Sequence, residues 1–212
     1  PIVFQDILMP VWRQLQQRQQ EFGQTSEWVF FDGFLRSRGL GAELVPPLSL
    51  VADDLGIYYD PAHPSRLEEL IEAPLPPGGH ARATRLIERL RAANLTKYNI
   101  EGAVPALPDH ETDQRSRILV PGQVEDDAAL LCTVGAAYDN LALLEQVRAS
   151  APDAWIVYKP HPDVEAGKRH GALPVERLAG LVDQVLPGAD IARLYGQVDE
   201  VHTFSSTAGF EA

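Results

Sequence analysis

Residues 154–162 read Ala-Trp-Ile-Val-Tyr-Lys-Pro-His-Pro, and this stretch limits the possible folds most sharply. Trp155 to Tyr158 is a short apolar run, the pattern of a strand buried in a parallel sheet. It ends in a cation, a histidine and two prolines. In an open α/β sheet, ligands sit just beyond the carboxyl ends of the strands. Lys159 and His161, on a stiff Pro-flanked turn, are therefore placed to meet an anion. A second stretch has the same logic. Val201 to Phe204 reads as a strand, and Ser205-Ser206-Thr207-Ala208-Gly209 follows it. Strand, hydroxyl-rich N-cap and helix start together make a phosphate site.

The chain has 212 residues, enough for one or two domains, and its 45% apolar content suits a globular core. Its formal net charge is -12. Such a surface repels nucleic acid. It also opposes purely electrostatic attachment to anionic lipid, although it is compatible with a local basic patch. Any anion site must be built locally, from a few cations and backbone amides. The single cysteine, Cys132, lies in an apolar run and is expected as a small core residue; no intramolecular disulfide can form. The longest apolar candidate, Ala128 to Ala137, is far short of the roughly 18 residues that span a bilayer. No signal peptide is visible. The chain starts at Pro1 and stops at Phe210-Glu211-Ala212, inside an expected helix, so it is expected to be a fragment of a longer protein.

Leu8, Val11, Trp12, Leu15 and Phe22 predict an amphipathic helix over 5–22. Trp28 to Phe31 predicts a strand. Leu48 to Val51 and Gly56 to Tyr59, around Asp53-Asp54, predict a short hairpin. Ser65 with Glu68 three residues on forms a capping box opening a helix over Arg66 to Glu72. Ala83, Leu86, Ile87 and Leu90 give a second helix face that ends near Asn94. Residues 105–116 are polar and Pro-bearing and read as a linker. That divides the chain into 1–104, part of an N-terminal lobe with a helical connection, and 105–212. The second part reads as strand Ile118–Val120, helix Asn140–Ala149, strand Trp155–Tyr158, helix Glu176–Val185, and strands Ala189–Ala192 and Val201–Phe204, which is a Rossmann-like lobe.

Glu125-Asp126-Asp127 follow a strand end, and three adjacent carboxylates there repel one another. They read either as nucleophile or general base at a glycosyl centre, or as an acidic helix N-terminus; divalent-ion ligation is a third reading. His161 reads as a donor to a phosphate oxygen with Lys159 neutralising charge, against a structural histidine in a rigid turn. His170 reads as loop surface and His202 as a core or sheet-face histidine. The hydroxyls at Ser205, Ser206 and Thr207 suit phosphate, and Glu211 one turn later can reach a ribose diol, as acidic residues do in dinucleotide sites; an ordinary N-cap with a favourable acid is the alternative. Asp32, before Gly33, projects a carboxylate into a cleft or serves a local turn.

Taken together, Asp32–Gly41, Pro47–Asp60, Leu95–Asn99, Leu119–Asp127, Tyr158–Gly171 and Val201–Ala212 resemble the capsule polysaccharide synthesis family of bacterial β-Kdo glycosyltransferases (Kdo is a ketose acid). The resemblance implies an α/β, GT-B-type fold, two Rossmann-like lobes with parallel sheets and the active site between them. It implies CMP-Kdo as donor substrate, with no metal and no further cofactor. His161 and Pro162 match the family's His-Pro motif, and Ser205, Ser206 and Thr207 its hydroxyl motif, both at the CMP phosphate. Gln123, Lys159, Gly209 and Glu211 complete the implied nucleotide-sugar set. Asp32-Gly33 matches an acidic motif, but Phe31 stands where an acidic residue is often found. Retention of configuration would make Asp126 or Glu125 the nucleophile and Asp32 the acceptor's base. The implied partners are the nucleotide sugar, a glycolipid or oligosaccharide acceptor and capsule assembly proteins, but no nucleic acid. The implied location is cytoplasmic, peripheral on the inner face of the cytoplasmic membrane. A GT-B transferase for CMP-sialic acid or a UDP-sugar, or an idle glycan- or partner-binding lobe, remains open.

Overall fold

The computed structural model describes residues 29–40, 43–134 and 138–212. The helix expected over 5–22 lies outside them. The first described element is a two-stranded antiparallel ribbon. Strand β1 (Val29–Asp32) pairs with β2 (Leu50–Asp53) in the register Val29 to Asp53 and Asp32 to Leu50. The hairpin expected between Leu48–Val51 and Gly56–Tyr59 is not formed. The reason lies in Asp53, whose buried carboxylate accepts the backbone N–H of Leu55 (2.9 Å), Gly56 (3.2 Å) and Arg66 (2.8 Å). It turns the chain away from β2 and ties it to the start of α1 (Arg66–Glu72). Burial by itself would raise the Asp53 pKa; these N–H donors outweigh it and hold the carboxyl below its usual range. The Ser65 capping box forms as read, with both reciprocal bonds present. Helix α2 (Gly79–Ala92) follows, and Gly78 enters it at φ 78°, a left-handed value that suits glycine.

The second unit is a four-stranded parallel sheet. Its members are β3 (Arg117–Pro121), β4 (Trp155–Lys159), β5 (Gln184–Val185) and β6 (Glu200–Val201), in the order β5-β4-β3-β6. Helices α3 (Ala128–Thr133), α4 (Asn140–Ser150), α5 (Pro162–Glu165), α6 (Val175–Leu178), α7 (Ile191–Tyr195) and α8 (Thr207–Glu211) connect and close it. The α/β class expected from the sequence is the fold observed. Strand alternation divides the core. Ile118, Val120, Ile156 and Tyr158 face Leu143, Leu144 and Val147 of α4; Leu119 and Val157 face Leu186, Ala189 and Leu194 on the other side. Burying each large aliphatic side chain contributes about 1.5–3 kcal/mol before chain entropy is subtracted. Leu107, in the expected linker, is buried against the second of these clusters.

The structure corrects three further expectations. The helix expected over Glu176–Val185 stops at Leu178; Gly180 takes φ 78°, and Gln184 and Val185 pair with Val157 and Tyr158 as a strand. Ala189–Ala192 is not a strand; the Asp190 side chain caps Ala192 N and starts α7. Cys132 is exposed on α3 rather than in the core. His202 agrees with the sheet-face reading: it is half-buried just after β6, its backbone N–H donates to Leu119 O (2.9 Å) and its ring pairs with Glu200 (2.7 Å).

Candidate active site

The carboxyl ends of β3 and β4 meet at a glycine. Gly122 N donates to the Lys159 carbonyl (2.7 Å), and a Cβ at Gly122 would lie 2.7 Å from the Tyr158 hydroxyl oxygen and 3.0 Å from His161 N. Only glycine allows the two strand tips to approach so closely. Beyond them opens a cleft of about 370 Å3, in the range of small-molecule sites, about 300–1,000 Å3. The sheet side of the cleft contributes Gln123, His161 and the 205–207 loop; the other side contributes Asp32, Tyr58, Tyr59 and the 96–98 turn.

His161 is the N-cap of α5, and its Nδ1 accepts the N–H of Asp163 (3.1 Å). That bond requires a lone pair on Nδ1, so the proton of the neutral ring sits on Nε2. Burial, followed by the charges of Lys159 and Lys97, lowers the imidazole pKa to about 4. The ring is therefore a neutral Nε2–H donor at physiological pH. Its orientation is fixed on a second side by an edge contact with Tyr98, centroids 6.1 Å apart.

Lys159 is 5% exposed and donates to the Pro160 carbonyl (3.0 Å), with Glu165 at 3.7 Å. Burial lowers its pKa, and Glu165 opposes that shift. It lines the cleft as a tethered charge rather than a free-swinging one.

Gln123 organises the 203–205 segment on the same side of the cleft. Its Oε1 accepts from Thr203 Oγ1 (2.9 Å) and Phe204 N (3.0 Å), and its Nε2 donates to Ser205 Oγ (3.2 Å). Its own backbone is held by Asn140, which accepts from Gln123 N (2.7 Å) and donates to Gln123 O (2.8 Å). Ser206 Oγ caps α8 through Ala208 N (3.2 Å). The sequence placed Gln123 at the ligand. The structure shows it shaping the hydroxyl loop from behind, 7% exposed, while also lining the cleft.

The acidic run divides three ways. Glu125 turns away and accepts the N–H of Asn140 (3.0 Å) at the start of α4. Asp126 is exposed and pairs with Arg169 (3.1 Å). Neither lines the cleft; Asp127 does. Asp127 caps α3 with one oxygen (Oδ1 to Ala129 N, 2.9 Å), and its charge raises the pKa of Tyr58, Tyr59 and Tyr98, after burial as the larger cause in each. It lines the cleft near these three rings. The sequence reading puts the nucleophile at Asp126 or Glu125 and leaves Asp127 out; the one available signal for Asp127 is its place as the last acid before the helix, where an N-cap belongs. Across the cleft, Asp32 is held by Arg36, itself anchored on Val45 O (2.9 Å). Phe31, the departure from the acidic motif, packs edge-on against Tyr58 (5.1 Å).

Glu211 also lines the cleft, but both its oxygens are engaged, with Lys97 N (2.7 Å) and the Tyr195 hydroxyl (3.0 Å). Burial raises its pKa, with these donors opposing. Together with the Phe34–Phe210 ring contact (5.3 Å), it ties α8 to the first unit. His161, Pro162, Ser205, Ser206, Thr207 and Asp32 line one cleft; Gly209 is in α8, where a Cβ would meet Thr203 at 2.8 Å. Among the described residues, no group of three or more His, Cys, Asp or Glu side chains is gathered to hold a metal ion.

The fold aligns with two solved structures. One is Thermosulfurimonas dismutans KpsC, beta Kdo 2,4 transferase, with TM-score 0.74 and 31% identity, covering 94% of this chain and 61% of that one. The other is the beta Kdo 2,7 transferase of KpsC from the same organism, with TM-score 0.63 and 33% identity, covering 93% and 57%. By sequence the chain is 44% identical over 182 residues to the capsule polysaccharide modification protein LipA of Neisseria meningitidis serogroup B, covering 85% of this chain and 25% of LipA. It is 41% identical over 192 residues to the lipopolysaccharide-processing protein LpsZ of Rhizobium meliloti, covering 87% and 42%. The chain therefore spans less than half the length of these curated relatives. The family model for capsule polysaccharide biosynthesis protein matches residues 13–212, and the chain belongs to that family.

Proposed function

We propose that this chain forms the donor site of a glycosyltransferase that moves Kdo from CMP-Kdo to a glycolipid or saccharide acceptor in capsule synthesis, without a metal, at the inner face of the cytoplasmic membrane. The observation that carries the reading is convergence: a neutral Nε2–H donor at His161 and the hydroxyls of 205–207 open on the same cleft as two carboxylates, Asp127 and Asp32. The likeness to the two Kdo transferase structures supports the sugar. No helix among the described residues is long and apolar enough to cross a membrane.

In this reading the CMP phosphate lies between His161 and the Ser205–Thr207 loop. Both groups donate hydrogen bonds to it, and these strengthen as charge builds on the leaving phosphate. Asp127, given its position, takes the nucleophile's role in preference to Asp126 or Glu125. Its second oxygen forms a bond to the anomeric carbon while the bond from that carbon to the phosphate oxygen breaks and CMP departs with the electron pair. The acceptor hydroxyl then attacks the same carbon, the aspartyl bond breaks, and Asp32 takes the hydroxyl proton. Two inversions retain configuration. Arg36 beside Asp32 holds that carboxylate in place for proton removal.

Thermal unfolding with CMP, UMP, GMP or buffer tests the donor assignment. CMP is expected to raise Tm above the other nucleotides, and His161→Ala is expected to abolish the difference. Equal shifts for all three nucleotides, or none, would refute it.

A further inference from the structure

Helix α2 stands apart from the rest of the fold. It is 14 residues long and none of them is buried; Leu86 is 48% and Ile87 54% exposed. A helix of this length is marginal in water without a packing partner. At 100° per residue, Ala83, Leu86, Ile87 and Leu90 share one stripe. Arg82 and Arg89 run along one margin of that stripe and Arg91 along the other. Four arginines against the single Glu88 leave this helix at +3 within a chain of net charge -12.

We propose that α2 docks on the surface of an anionic lipid bilayer. The apolar stripe enters the headgroup boundary, and the arginine stems lie along it with their guanidinium groups on lipid phosphates. Charge complementarity selects this occupant. A second copy would set +3 against +3, which opposes association. The core of a protein partner's interface is depleted of charge, whereas this stripe is narrow and bordered by cations. Helix α1 also exposes Leu70 and Ile71, but its Glu68, Glu69 and Glu72 disfavour an anionic surface. With the helix at +3 and the whole chain at -12, the remainder carries -15, so the bilayer field favours an approach with α2 foremost. The inference goes beyond the transferase reading and does not depend on it, because its test involves neither nucleotide nor sugar.

Cosedimentation of the full chain with vesicles tests it. Vesicles of phosphatidylcholine and phosphatidylglycerol (seven parts to three) are expected to retain the protein, and pure phosphatidylcholine vesicles to release it. Each arginine near an anionic surface is worth about fivefold in partitioning. Arg82→Gln with Arg89→Gln should therefore weaken binding about 25-fold, and Leu86→Gln with Ile87→Gln should weaken it at least as much. These side chains are exposed, so far-UV circular dichroism should not change. Absence of wild-type binding, equal binding to both vesicle types, or unaltered binding of both double variants would overturn the proposal. So would a wild-type dimer in sedimentation velocity that the Leu86/Ile87 variant dissolves, which would give the stripe to a second copy.

Discussion

Replacing Gln123 with alanine tests whether the hydroxyl loop is held in place from behind. The side chain makes three hydrogen bonds of 2.9–3.2 Å, to Thr203 Oγ1, Phe204 N and Ser205 Oγ. Each is worth about 1 kcal/mol net, so the truncation should cost about 3 kcal/mol of folding stability, part of it from leaving Phe204 N without an acceptor. Urea unfolding measures this directly. The loop would also lose the constraint that aims its hydroxyls. One misdirected bond to a charged phosphate is worth about 1.5–3 kcal/mol, so CMP affinity by calorimetry should fall about 10- to 100-fold. Gln123→Glu separates the two effects. It keeps the acceptor for Thr203 and Phe204 and so retains most of the stability, yet it sets an anion behind the phosphate loop and should still weaken CMP. Stability within about 0.5 kcal/mol of wild type in the alanine variant, with unchanged CMP affinity, would refute the clamp. Wild-type CMP affinity in the glutamate variant would remove the phosphate from this loop.

Two further predictions follow from the site. His161 has a folded-state pKa of about 4, below the ordinary histidine value near 6.5. The unfolded chain therefore binds the extra proton first. The contribution of this residue to stability is complete above about pH 6.5 and is lost as pH falls toward 4. The urea midpoint should decline through that window, and less steeply in His161→Gln; parallel profiles would contradict a neutral buried ring. Asp127→Asn should lower the turnover of Kdo transfer about 10^3-fold or more, while Asp126→Asn, whose partner is the exposed Arg169, should stay within a few-fold of wild type. The reverse ranking would return the nucleophile to Asp126.

Much of the site is legible in the order of residues alone. The strand at Trp155–Tyr158 with its Lys-Pro-His-Pro end, the capping box at Ser65 and the hydroxyl turn before α8 all form as read. In each case neighbouring residues carry the whole signal. The short elements are not legible in this way. A two-residue strand such as β5 or a five-residue helix such as α7 shows no periodicity; pairing with Tyr158 and the Asp190 cap define them. Nor can residue types distinguish Glu125, Asp126 and Asp127, because they lie in the turn that leads into α3, where no regular period decides which side chain meets the cleft.

The sequence by itself determined the chemistry on offer: a parallel sheet with an imidazole and hydroxyls at its strand tips, an overall negative chain, and one basic amphipathic helix. The tertiary structure decided which groups share a cavity. It brought Asp127 and Asp32 to opposite walls, fastened Glu211 to Lys97 and Tyr195, and bonded Gln123 to Thr203, Phe204 and Ser205 at the hydroxyl loop. Local propensity reaches only a few residues along the chain. The Gln123–Ser205 and Lys97–Glu211 contacts span 82 and 114 residues, and only the packing of the sheet and its helices brings such pairs together.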